Sequence, residues 1–440
     1  MKNKKWMAIL LGGIMAASLA APCSVSAAEK TTLTFWHAMG GTNGEVLQQI
    51  VDDFNASQDE IEVKAEYQGT YDDTITKLKA AMQSDSGLPD VCQMYDVGTK
   101  FMYDSGAVIP VEDKFESTGY DKSSVMDVIS SYYTVEGKQY AMPFNVSTPM
   151  LYYNKDVFEA AGLDPETPPT TYDEVLEDAK KIVESGAAPV GYSQAIYGWF
   201  FEQQLAGLGV TYGNNDNGRK EAVTAVDFDS NGGGLKVFDM WKKLYDSGCF
   251  EDYGTTTADT QTAFFSGQVG MIIESTAILK NAVDSSPFEV GTGYLPRIEQ
   301  NDEGGVIIGG GSLWLTDTGN EANEDAGWKF IEYITTPDVQ AKWSMGTGYF
   351  AINEKAYETD DMKAYLKENP NFETAINQLK DSPVNCNTAG VLSGVQTEAR
   401  LTFNEIMPQV YDGKLTTQDA VDQLAASVNK AIENYNESIK

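Results

Sequence analysis

Residues 143–156 read PFNVSTPMLYYNKD. Two hydroxyls, Ser147 and Thr148, stand between an aromatic stretch and the doubled tyrosines Tyr152 and Tyr153. A strand covered on both faces is normally a near-continuous apolar run, so this mixture suggests a segment that holds something besides a sheet. The surrounding sequence alternates strands and helices. TTLTFW (31–36) has strand character, and GEVLQQIVDDFNAS (44–57) carries Val46, Leu47, Ile50 and Phe54 on one helical face. IEVKAEY (61–67) alternates apolar and polar residues, a helix over 72–84 turns Ile75, Leu78 and Met82 inward, and DVCQMY (90–95) closes the series. This β-α-β-α order predicts an α/β fold with a largely parallel sheet. Beyond the opening stretch, helical patterns recur at 155–162, 172–185 and 233–247, with strands at 269–275 and 304–315. A last helix over 418–438 is expected to bury Val421, Leu424, Val428, Ile432 and Tyr435.

The N-terminus points to export. Lys2, Lys4 and Lys5 precede an apolar run from Met7 to Ala21 and the small-residue segment SVSAAEK. That is the layout of a secretory signal peptide, expected to span 1–27, and the run is too short for a membrane helix. Cys23 offers a lipid-anchored alternative, which Pro22 directly before it fits poorly. The chain has 440 residues, 42% of them hydrophobic, enough for two lobes with packed cores. Its net charge of −34 argues against nucleic acid and against anionic lipid as partners. Cys92, Cys249 and Cys386 are widely spaced and form no C-x-x-C; free buried thiols are expected, with a Cys92–Cys249 bridge as the alternative.

Little here suggests catalysis. A single histidine, His37, excludes a two-histidine metal site, and no G-x-S-x-G elbow accompanies it, so we read it as a satisfied strand-end residue. GGGSLWL (309–315) lacks the Lys-Ser/Thr tail of a phosphate-binding P-loop. No catalytic residue, metal or cofactor is expected. Among the 31 basic residues only Arg219, Arg297 and Arg400 are arginines. Arg219 lies in NNDNGRK and reads as a surface residue. Arg400 opens a helical pattern in GVQTEARLTF and offers a rigid fork to a carboxylate or phosphate. Taken alone, an ion-pair role suits it better than an anion clamp.

The segments FWHAMGG, YQGTYDD, YDVGT, PFNVSTPMLYYNKD, AGLDPETPPTTYDE, IIGGGSLWL and TGYFAI resemble, in that order, the solute-binding proteins of bacterial ABC importers, most closely the branch that takes up glycerol-3-phosphate. The resemblance runs from Leu33 to the final helix. It implies a two-lobed periplasmic-binding-protein fold with hinge strands and a cleft between lobes that close on solute. Lobe 1 is expected to comprise 28–140 and 277–333, and lobe 2 to comprise 141–276 and 334–440. The opening stretch then becomes the crossover into lobe 2, its hydroxyls at the cleft mouth.

Ligand contacts carried over from the resemblance are Tyr71, Asp96, Ser147, Trp199, Ser275, Gly310, Tyr349 and Arg400. Asp96 stands where the family has a glutamate, and Ile196 and Trp199 stand where it has two tryptophans, so one aromatic wall is expected to be missing. Such a set suits a phosphate ester: Arg400, hydroxyls and the Gly310 N–H as donors, Asp96 as acceptor for glycerol hydroxyls. The implied function is an exported receptor, a monomer, that binds glycerol-3-phosphate or a glycerophosphodiester and delivers it to a membrane permease. An oligosaccharide receptor of the same fold is the first alternative, and a secreted polysaccharide-degrading enzyme the second.

Overall fold

A computed structural model describes residues 30–84 and 87–439, so the signal segment and Cys23 lie outside the described residues. The strands in chain order are β1 (Thr31–His37), β2 (Ile61–Tyr67), β3 (Val91–Tyr95), β4 (Val108–Ile109), the hairpin β5 (Thr134–Val135) and β6 (Lys138–Gln139), and β7 (Met142–Ser147). They continue with β8 (Pro149–Asn154), β9 (Val190–Ser193), β10 (Val269–Ser275), β11 (Val290–Gly293) and β12 (Gly309–Thr316). One sheet runs β2-β1-β3-β12-β4 with β7 also on β12; the other runs β11-β8-β10-β9.

The quoted stretch decides this division. Ser147 ends β7 in the first sheet, Pro149 begins β8 in the second, and Thr148 alone joins them. Thr148 is fixed from both sides. Its N–H donates to Thr276 Oγ1 at 3.1 Å, and its carbonyl accepts from the Thr276 N–H at 2.8 Å. Gln378 Nε2 donates to the Thr148 hydroxyl at 3.3 Å and to the Pro149 carbonyl at 2.7 Å. Thr148 is thus a buried hinge residue and only Ser147 reaches the cleft.

The periodic elements form where their spacing predicts: helices Gly41–Ser57, Tyr71–Met82, Tyr172–Ser185, Gly233–Asp246 and Thr417–Ser438 bury the expected apolar stripes. Val46, Ile75, Met82 and Tyr435 are only half-buried, and the Tyr435 hydroxyl donates to Asp104 at 2.6 Å, a contact between the last helix and the first lobe.

Four expectations need correction. Parallel pairing is confined to β1–β2, β1–β3 and β9–β10, because β12 enters the first sheet from the other lobe and runs antiparallel to its neighbours. The 304–315 stretch is a strand only from Gly309; before it, the Ile307 backbone exchanges hydrogen bonds of 2.8 Å with the Gln203 side-chain amide, leaving no ladder to join. The lobe limits shift. The first sheet extends to Ser147, whereas β11 folds back onto β8 in the second, and helix Pro337–Thr347 packs on Gly41–Ser57, where Lys342 pairs with Asp53. Finally, Arg219 is half-buried rather than a free surface residue. Asn215, Asp216 and Asn217 all adopt left-handed backbone (φ 57°, 55° and 58°) and curl the loop inward. The Arg219 guanidinium then donates to the carbonyls of Gly390 at 3.0 Å, Tyr132 at 2.8 Å and Ala389, and lies over the Tyr132 ring. Burial lowers its pKa to about 10.

Cys92, Cys249 and Cys386 are free thiols. His37 ends β1, its Nδ1 accepting from the Met39 N–H at 3.3 Å, and burial holds its pKa down to about 4. A depressed base stabilises the fold fully above the unfolded value near 6.5 and loses that contribution as pH falls toward 4. Replacing His37 with Gln should therefore flatten the decline of unfolding free energy between those pH values. Parallel profiles for the two proteins in urea titrations would contradict this.

Candidate functional site

Between the lobes lies a cavity of about 380 Å³, and all eight residues expected at a ligand line it. Strand ends and helix starts supply most of them. Thr70 caps helix Tyr71–Met82 with a capping box: its hydroxyl accepts from the Asp73 N–H while the Asp73 carboxylate accepts from the Thr70 N–H at 2.9 Å. That lock fixes Tyr71 in the first helical turn. A buried amide relay then aims its ring. The Ala38 N–H donates to Gln93, Gln93 Nε2 donates to Asn145 Oδ1 at 2.6 Å, and Asn145 Nδ2 donates to the Tyr71 oxygen at 2.6 Å. Tyr95 stacks on Tyr71 with ring centres 5.1 Å apart.

Two glycines allow the close approaches on which the site depends. Gly310 has φ +91°, and a Cβ there would sit 1.8 Å from the Asn145 carbonyl oxygen. At Gly198 a Cβ would stand 2.5 Å from Arg400 Cα, so only glycine lets helix Gly198–Gly207 touch helix Gln396–Tyr411 there. This contact brings Trp199, Glu202 and Arg400 together. The Trp199 ring packs on Gly309, and its indole N–H is buried without a partner.

Arg400 is the charged centre. Its Nε and Nη2 donate to the two Glu202 oxygens at 2.8 and 2.7 Å, a bidentate fork, and Nη2 also donates to Asp96 Oδ2 at 2.9 Å across the cleft. Gln396 Nε2 adds a bond to Glu202 at 3.0 Å. Burial works to lower the Arg400 pKa, but Asp96 and Glu202 outweigh it and hold it well above the ordinary value. Burial pushes Glu202 up, opposed by Arg400. The bidentate geometry is that of an ionised pair. Nη1 has no partner among the described residues and is the guanidinium edge still free to donate.

Other walls are hydroxyl and aromatic. Ser147 ends β7, and Ser275 ends β10, where its Oγ accepts from the Ala277 N–H at 3.2 Å and keeps its own proton to donate. Tyr349 follows the left-handed Gly348 and stacks against Trp343 with ring centres 5.7 Å apart. Ile196, which stands where the family has a tryptophan, is buried away from the cavity, and the neighbouring Tyr197 lines it. A second aromatic ring therefore lines the cavity one residue along, tilted beside Trp199 with ring centres 6.1 Å apart. Sequence reading also missed Glu202 and Glu274. Glu202 lies one helical turn after Trp199 inside the apolar run GWFFEQQLAG, and that spacing was the available signal. His37 does not line this cavity. Among the described residues no group of three or more His, Cys, Asp or Glu is placed to hold a metal ion, and no helix is long and apolar enough to cross a membrane.

A model of the bacterial extracellular solute-binding protein family matches residues 49–374. The chain belongs to that family. It is 30% identical over 417 residues to the sn-glycerol-3-phosphate-binding periplasmic protein UgpB of Escherichia coli (strain K12), covering 93% of this chain and 94% of the relative. Among solved structures it is similar to the cyclic alpha-maltosyl-1,6-maltose binding protein of Arthrobacter globiformis, with 25% identity and a TM-score of 0.77 over 92% of this chain and all of that one. UgpB from Mycobacterium tuberculosis in complex with glycerophosphocholine shares the fold, with a TM-score of 0.79 at 20% identity over 93% of this chain and 100% of that one. Membership accounts for the architecture: two α/β lobes, crossing segments, and a cavity where they meet.

Removing the cation from a buried pair strands the carboxylates and costs about 3–5 kcal/mol. Arg400→Met should lower stability by that order, and the double variant Arg400→Met with Glu202→Met should recover at least half of it in urea denaturation. Equal stability of the single and double variants would contradict the pairing described.

Proposed function

We propose that this protein is the receptor of an ABC importer, binding glycerol-3-phosphate or a glycerophosphodiester and handing it to a membrane permease without chemical change. The observation that carries this reading is the free Nη1 edge of Arg400 in the same cavity as the Ser147 and Ser275 hydroxyls, Tyr349 and the Gly310 backbone. The charge of Arg400 is already matched by Asp96 and Glu202, so attraction at long range contributes little. Convergent, pre-oriented donors in a largely buried cleft would do the work. Asp96 Oδ1, which Arg400 does not use, would accept from glycerol hydroxyls. The size of the cavity suits a ligand of this class.

The match to glycerol-3-phosphate-binding relatives along nearly the whole chain supports the same solute. In this reading the eight residues named from sequence are the ligand contacts, the lobes close on the solute, and the protein acts outside the membrane as a monomer. Export by cleavage after residue 27, or a lipid anchor on Cys23, would place it there.

An oligosaccharide receptor is the second reading. Tyr71, Tyr95, Tyr197, Trp199 and Tyr349 give the cavity aromatic faces, and its carboxylates accept hydroxyls as sugar sites require. A hydrolase is the weakest reading: Asp96 and Glu202 both hold Arg400, which leaves Glu274 alone where cleavage needs a pair of free carboxyl groups.

Calorimetric titration of the mature chain separates these readings. Glycerol-3-phosphate and glycerophosphoglycerol should bind one to one, with maltotriose silent and unhydrolysed. Heat with maltotriose alone would transfer the assignment to the carbohydrate reading, and its breakdown to the enzyme.

A further inference from the structure

The Arg400 centre leaves one cavity carboxylate unaccounted for. Glu274 sits near the end of β10, inside the apolar strand VGMIIES, and is 5% exposed. Its Oε1 accepts from the Ser275 N–H at 2.6 Å and its Oε2 accepts from Gln261 Nε2 at 2.9 Å. As placed, both oxygens accept, and these two bonds favour the ionised form against the burial that opposes it. Among the described residues no cation pairs with it, whereas Asp96 and Glu202 share Arg400. A buried charge held only by neutral donors is costly until something cationic reaches it, and burial raises its pKa accordingly.

Glu274 and Arg400 line the same cavity, with Tyr197 feeling the field of both. Thr255, Thr257 and Gln261 complete the wall near Glu274. Arg400 is already paired with two carboxylates, Asp96 and Glu202, and Glu274 adds a third to the same site. A simple phosphate ester would add negative charge to that excess; an ester carrying a cation would offset it.

Resting on the glycerol phosphate reading above, we propose that Glu274 is a specificity residue that receives a primary ammonium group on the alcohol of a glycerophosphodiester. Each Glu274 oxygen retains a lone pair for an ammonium N–H, while the phosphodiester and glycerol engage the Arg400 end. The preferred solute is then a zwitterion, anchored at Arg400 and at Glu274.

The test compares two diesters that differ only at this end: glycerophosphoethanolamine, with an ammonium, and glycerophosphoglycerol, with hydroxyls. Calorimetry on the intact mature chain should show the ammonium diester binding about tenfold tighter or more. Glu274→Gln, close to isosteric, keeps one oxygen to accept from the Ser275 N–H and can donate its amide N–H to the Gln261 oxygen once that side chain flips, and it should bring the two diesters within about twofold of each other by weakening only the first. Equal affinities in the unaltered protein, or an equal loss for both diesters in the variant, would overturn the assignment. Glycerol-3-phosphate serves as the control. If it binds while the diesters show no preference, the role of Glu274 alone is wrong, and if none of the three binds, the phosphate-ester reading fails with it. The comparison in the unaltered protein stands even if the variant folds poorly.

Discussion

The bond between Arg400 and Asp96 spans the cleft, and much of the site is organised around it. Arg400 belongs to the second lobe and is gripped there by Glu202; Asp96 follows the last residue of β3 in the first. A guanidinium has five donors in one plane, so a fork to one carboxylate and a third bond to another still leave an edge free. Tyr95 and Thr397, one from each lobe, meet at 2.8 Å beside this centre. The same elements that join the lobes thus frame the cavity.

Backbone constraints make that bond possible. Without glycine at 198 the two helices could not approach closely enough to seat Glu202 against Arg400, and without glycine at 310 the strand β12 could not pass the Asn145 carbonyl. The single-residue crossover at Thr148 sets the relation of the two sheets, and its hydrogen bonds to Thr276 tie β7 to the turn after β10. Ser147 and Ser275, each at the end of its strand, are brought to one cavity by that tie. Cleft geometry and lobe connection are therefore one structural problem.

Periodicity made the helices legible, and the order of short segments made the two-lobed architecture legible as a resemblance. What periodicity could not reveal were interactions decided by tertiary approach. Glu202 and Glu274 are acids within apolar runs, but in a chain with 65 acidic residues nothing in the sequence marks two as buried. Tyr197 was not named because the resemblance matches Ile196, not its neighbour, to the family tryptophan; residue 197 is extended, with φ −138°, and neighbouring residues on extended chain face opposite sides. Arg219 looked exposed because its loop is polar, yet the left-handed turn before it folds the guanidinium inward. The direction of β12 depends on which lobe the chain arrives from, a fact no local pattern carries.

The account stands on the claim that Arg400 presents its Nη1 edge to an anionic ester while Glu202 and Asp96 hold the rest of the guanidinium. A crystal structure of the mature chain grown with glycerol-3-phosphate tests it most directly. The account predicts a phosphate oxygen within hydrogen-bond distance of Nη1, with the Glu202 fork intact and the Ser147, Ser275 and Tyr349 hydroxyls turned toward the phosphate. A phosphate bound elsewhere, with Nη1 facing only water or a neutral sugar, would contradict it.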